Sequence, residues 1–163
     1  MAATRHVSGE SWPIEVDVAS AIAVYKGDLM IQSLVDPQVG FPASNMASHL
    51  TDLATVQEAL HDAFLGIALE DKLAGKAKAV QVATEGIFEI PITAAAAAPV
   101  GQLYGCGNDD DSGHTPPVNQ RALAVAAANL SFGVLVKPTL ATDTHAHIRL
   151  FGTKTIGGMK TMA

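Results

Sequence analysis

Short stretches in which apolar and polar residues alternate run along most of the chain and predict strands. Ile14, Val16 and Val18 alternate with Glu15 and Asp17, the period of a strand with one buried face. Ala21 to Tyr25 leads through the turn Lys26-Gly27-Asp28 into Leu29-Met30-Ile31, which reads as strand, turn and strand. Asp36-Pro37, Gly40 and Pro42 then break regularity through about Met46. The period changes next: Leu53, Val56, Leu60 and Phe64 lie at i, i+3, i+7 and i+11, the stripe of one amphipathic helix near residues 51–64. Ser48 or Thr51 is expected to cap it, Asp52 in the first turn complements its dipole, and Gly66 ends it.

A glycine-anchored pattern occurs twice. Phe64-Leu65-Gly66-Ile67-Ala68-Leu69 runs into Val80-Gln81-Val82 and Gly86, and Phe132-Gly133-Val134-Leu135-Val136 runs into Ile148-Arg149-Leu150 and Gly152. Each copy reads as strand, turn, strand, glycine. Lys78 to Ala83 and Gly86 to Ile92 read as strands joined by a turn at Thr84-Glu85-Gly86, Val100 to Tyr104 as a short strand, and Gly105 to Pro117 as the longest loop. Ala122 to Ala126 and Ser131 to Val136 read as a strand pair, and Ala146 to Phe151 as the last strand. The run Ala94 to Ala98 between Pro91 and Pro99 is either one helical turn or an extended connection. About nine short strands with one helix predict a mainly β fold, a small β-barrel or sandwich. It carries an extended N-terminal arm over residues 1–13, a β-rich domain over 14–152 and a tail over 153–163.

Composition narrows the possibilities. A chain of 163 residues with 48% hydrophobic content can build its own core, burying roughly 70% of its unfolded surface. A single cysteine, Cys106, excludes an intrachain disulfide and a cysteine-based zinc site. The net charge is −6, and the lysines and arginines are scattered singly, so nucleic acid is an unexpected partner. No signal peptide or membrane-length apolar run is visible, and the protein is expected to be soluble, without a membrane partner.

Candidate chemistry is sparse. His145 and His147 point the same way on a strand and have a spacing that can bind metal, yet strand alternation explains them as the outward set with Arg149, and no metal is expected. Asn108 to Gly113 has alternating oxygen ligands ahead of a glycine, but Asn119 stands where the bidentate glutamate belongs, so an acidic loop is expected. Gly105-Cys106-Gly107 lacks the third glycine of a dinucleotide fingerprint, and Gly152 to Gly158 lacks the P-loop lysine. Cys106 has no basic neighbour in sequence. His6, His49, His61 and His114 are dispersed, with His61 on the polar face of the helix. Neither an enzyme nor a cofactor is expected. Trp12, the only tryptophan, beside Pro13, suits either an interface anchor or a cover for the end of the fold.

Several segments together resemble the capsid decoration, or cement, proteins of tailed bacteriophages. They are Tyr25-Lys26-Gly27-Asp28-Leu29-Met30, Phe64-Leu65-Gly66-Ile67-Ala68 after a helix, Val80 to Phe88, and Asn119-Gln120 ahead of Ser131-Phe132-Gly133-Val134. The likeness spans about residues 20–152. It implies a compact β fold with a mobile N-terminal arm and a homotrimer on the outer capsid surface, in contact with the major capsid protein and stabilising the expanded shell. Carried onto this chain, the partner contacts are Arg5, His6, Val7, Trp12 and Pro13. The helix, the loop at Gly105 to Pro117 and the Gly-rich tail exceed the smallest members. Alternative readings are a minor tail or vertex accessory protein, a small-molecule-binding β-barrel, and an HxH metal protein.

Overall fold

Alternating sequences make two antiparallel sheets, and the single 3.6-residue period makes one helix. The computed structural model describes residues 4–8, 13–33, 35–36, 38–46, 52–92, 96–107 and 117–151. The strands are β1 (Arg5–Ser8), β2 (Pro13–Val18), β3 (Leu29–Gln32), β4 (Gly40–Pro42), β5 (Phe64–Ala68), β6 (Lys78–Ala83), β7 (Ile87–Pro91), β8 (Leu103–Cys106), β9 (Ala122–Val125), β10 (Gly133–Leu135) and β11 (His145–Leu150), with α1 at Leu53–Ala63. One sheet has six strands in the order β1-β7-β11-β10-β8-β9, and the other has five in the order β2-β6-β5-β3-β4. No helix among the described residues is long and apolar enough to cross a membrane.

The sandwich is the architecture formed, and the barrel is not. A barrel needs a continuous ladder around its circumference. Here no ladder joins the edges: only isolated parallel bridges occur, Asp17 to Val39 in one sheet and Ile92 to Ala122 in the other. Both sheets therefore stay open.

Strand order exposes an internal repeat. Strands β2 to β6 lie in the order first, fifth, fourth, second, third, and β7 to β11 lie in that same order, with β1 added beside β7. Register aligns the copies residue by residue. Ile67 pairs with both Leu29 and Ala83, as Val134 pairs with both Leu103 and Arg149. Glu15 stands opposite Gln81, as Glu89 stands opposite His147. Gly66 thus corresponds to Gly133, as the doubled sequence pattern suggests. The reason is steric: a Cβ on Gly66 would collide with the Ala83 carbonyl, and one on Gly133 would lie 2.6 Å from the Arg149 carbonyl oxygen. Both glycines admit the backbone of the next strand.

Each repeat encloses apolar side chains. Val16, Val18, Val24, Met30, Leu65, Ala68, Val80 and Val82 form one cluster inside the first repeat. A larger core joins Phe88, Ile90, Tyr104, Phe132, Leu135 and Ile148 of the second repeat to Leu29, Ile31, Phe64 and Ile67 on the other face of the first. Helix α1 adds Val56, Leu60 and Ala63 to it. Asp52 is the N-cap, accepting from the Thr55 amide at 2.8 Å; Ser48 and Thr51 lie outside the described residues. Phe64 leaves the helix and begins β5, because the chain must extend there to pair with Ile31.

Several neighbours in sequence are not neighbours in a sheet. β2 pairs with β6, not with β3, and Ala21 to Tyr25 contributes only a bridge from Val24 to Lys72. β6 and β7 belong to different sheets, and the expected strand pair of β9 and β10 does not form, because β8 lies between them and pairs with both. Gly40–Pro42 forms an edge strand on β3, where a proline costs no ladder bond. The expected strand at Val100 to Tyr104 sits later, at Leu103–Cys106.

Lys72 is the unexpected buried charge. It is 1% exposed, and its ammonium donates to the carbonyls of Ala19 at 3.0 Å, Ser20 at 3.4 Å and Ile22 at 2.7 Å. The cation thereby closes the loop between β2 and β3 onto the β5–β6 connection. Lys72→Met keeps the stem and orphans the carbonyls, and it is expected to cost about 2–3 kcal/mol, or about 4–12 °C in Tm for a chain of this size. An unchanged thermal midpoint would show that the cage contributes nothing.

Candidate functional site

The N-terminal segment is tied to the body at three points. β1 lies antiparallel to β7, with Arg5 opposite Glu89 and His6 opposite Phe88. Arg5 forms an ion pair with Glu89, and that hydrogen bond, with the positive charge of Arg5 behind it, holds the Glu89 carboxyl below its usual range. His6 meets Phe88 edge to face, with ring centroids 5.2 Å apart. All four residues of β1 are exposed. A strand with no buried face has no alternation, so it gives no sequence signal, and the segment reads as a featureless arm. Of the expected contacts, Arg5, His6 and Val7 share β1, whereas Pro13 opens β2 in the other sheet opposite Ala83. Trp12 lies outside the described residues.

The third tie is a polar cluster behind Thr4. The Thr4 amide donates to Gln120 Oε1 at 3.0 Å. Gln120 Nε2 donates to Asp28 Oδ1 at 2.9 Å and to the Lys26 carbonyl at 3.2 Å. The Tyr25 amide donates to Asp28 Oδ2 at 2.9 Å. Asn119 adds its carbonyl to the Leu29 amide and its side-chain oxygen to the Ser44 amide. Two of the segments quoted above, Tyr25 to Met30 and Asn119-Gln120, thus meet in space. Their sequence separation hid this.

Asp28 is 1% exposed. Burial raises its pKa, against the lowering effect of the Tyr25 and Gln120 hydrogen bonds, and nearby Asp71 raises it further. A raised carboxyl favours the folded state fully below the unfolded value near 3.8, and that contribution fades as pH rises through the folded value. Asp28→Asn is expected to remove this slope. Relative to the variant, the wild type gains stability as pH falls toward 3.8 in paired melting series, and parallel curves would contradict the assignment.

The two histidines on β11 face outward, as alternation predicts, between buried Ala146 and Ile148. They line a polar cleft of about 200 Å³ with Glu89, Lys137, Pro138, Thr139, Asp143 and Thr144. His147 stands opposite Glu89, but no cluster of three or more metal-ligating side chains occurs among the described residues. Cys106 is packed in the core, and burial pushes its thiol up to about 12, so it holds no thiolate at neutral pH. His61 is held by the Ser131 carbonyl. The acidic loop at Asn108 to Gly113, part of the alanine run, His49, His114 and the tail over 153–163 lie outside the described residues.

Inward positions of both repeats are filled by aliphatic and aromatic side chains, many at 0–1% exposure, including Val80, Val82, Ile90, Leu135 and Ile148. Exposed apolar residues sit instead at loops and edges: Val7, Tyr25, Val35, Leu73, Val100 and Leu140.

Comparison with known proteins gives one family. The model described as phage cement protein matches residues 14–150, a span that includes both five-stranded repeats. No curated protein matches the chain.

Proposed function

The chain belongs to the phage cement protein family, which gives it a structural, capsid-associated role, and on that premise we propose that it binds the outer surface of a tailed-phage capsid and stabilises the expanded shell. Its partner in this reading is the major capsid protein, its binding unit is a homotrimer, its location is the outside of the virion, and it performs no catalysis. The observation that carries the reading is the family match across both repeats. The exposed β1, with Arg5, His6 and Val7, supports contacts made through the N-terminal segment, together with Trp12 and Pro13.

The mechanism is thermodynamic. A protein that binds the expanded shell and not its precursor shifts that equilibrium by its differential affinity, multiplied over many copies. An acidic chain suits the outside of a shell better than the side facing packaged DNA.

Fractionating a particle-containing lysate on a density gradient tests the proposal. This chain is expected to co-migrate with the major capsid protein at a copy ratio near one. A ratio of a few per cent would favour a minor tail or vertex protein, and absence from particles would overturn both.

A further inference from the structure

The two repeats differ in what covers them and in charge. The outward residues Leu29, Ile31, Ile67 and Ala83 of the first repeat are buried in the shared core. Their register equivalents in the second repeat include Leu103, Val134 and Arg149, of which Leu103 and Val134 are half-buried and Arg149 is exposed. The outer face of the six-stranded sheet is therefore less covered there, though the Leu130 carbonyl closes it over Gly105 of β8, and cations gather beside Asp143 on its β11 side. Lys137 and Arg149 are exposed there beside the half-buried His145 and His147, while Arg5 already neutralises Glu89.

The equivalent strand pair of the first repeat has the opposite sign. β2–β6 turns Glu15 and Asp17 outward, opposite Gln81 and Ala79, and both carboxylates are exposed. Neither they nor Lys137 and Arg149 form a salt bridge among the described residues. Two strand pairs of the same topology thus carry unneutralised charges of opposite sign on one chain.

We infer that copies of this chain associate head to tail, the Glu15 and Asp17 face of β2–β6 on one copy seating against the Arg149 and Lys137 face around β11 on the next. Half-buried Leu103 and Val134 supply the apolar part of the contact. Because the two surfaces differ, each copy offers one of each, and the chain of contacts ends only by closing into a ring. The inference deepens the homotrimer proposal by naming the surfaces that meet. It rests on register and charge, so failure of shell binding would leave it standing.

Sedimentation equilibrium of the full chain tests it, with three variants: Glu15→Lys with Asp17→Lys, Lys137→Glu with Arg149→Glu, and all four changes in one chain. The wild type is expected to assemble, and more weakly at high salt. Each paired reversal is expected to weaken assembly by about tenfold or more, and the fourfold variant to restore it. Mixing the two paired variants is expected to restore association in alternating order, since both kinds of contact between unlike variants are complementary, whereas contacts between like variants repel and leave one mismatched seam in any odd-membered ring. Melting curves confirm that each variant is folded, and neutral Lys137→Gln with Arg149→Gln replaces a variant that is not. A wild type that stays monomeric at every concentration, reversals without effect, or a fourfold variant no better than its parents would overturn the inference.

Discussion

Gly66→Ala is expected to destabilise the protein by about 3 kcal/mol or more, the sum of an overpacked backbone contact and an unfavourable φ. Residue 66 has φ 156, and its missing side chain leaves the space taken by the Ala83 carbonyl. The obstacle is main chain within a paired strand, so no rotamer change relieves it. Gly133→Ala meets the Arg149 carbonyl oxygen at 2.6 Å without a positive φ and is expected to cost less, about 1–3 kcal/mol from overpacking alone. Gly75 supplies the control: its φ is 87, but nothing lies within 4 Å of an added Cβ. Gly75→Ala therefore carries the backbone term alone, about 1 kcal/mol. Denaturant melts of the three variants decide the matter, and equal losses at Gly66 and Gly75 would refute the close-approach account.

Removing residues 1–12 is expected to abolish shell binding, lowering affinity by at least about a hundredfold, while the two repeats remain folded. Among the described residues, the segment contributes none to either apolar cluster. Among the described residues its attachments include the β1–β7 ladder, the Arg5–Glu89 pair, the His6–Phe88 contact and the Thr4–Gln120 hydrogen bond. With Arg5 side chain 73% exposed, such a pair adds little to stability. Trp12→Ala in the full chain isolates the aromatic anchor from the loss of β1. Unchanged binding by the truncated chain would refute the assignment of the segment as the partner contact.

The sequence was legible wherever one face of an element is buried. Ile14, Val16 and Val18 gave β2, Lys78 to Ala83 matched β6 residue for residue, and the Leu53 to Phe64 stripe located α1. The doubled glycine pattern anticipated the repeat, since close approach demands glycine at the same register in both copies. Pairing partners were less legible. Adjacent strands such as β6 and β7 look like a hairpin, but the connection carries the chain from one sheet to the other. β1 was silent because both its faces are exposed. Lys72 was silent for another reason: a buried polar residue in a loop looks like any solvated one until the carbonyls it meets are placed around it.

The most direct test of the central claim is a titration of the purified protein onto shells that lack it, in both unexpanded and expanded forms, followed by co-sedimentation. Saturable binding to expanded shells, with little or none to the unexpanded form and a raised shell melting temperature at saturation, is the predicted result. Equal affinity for both forms, or no binding to either, would contradict it.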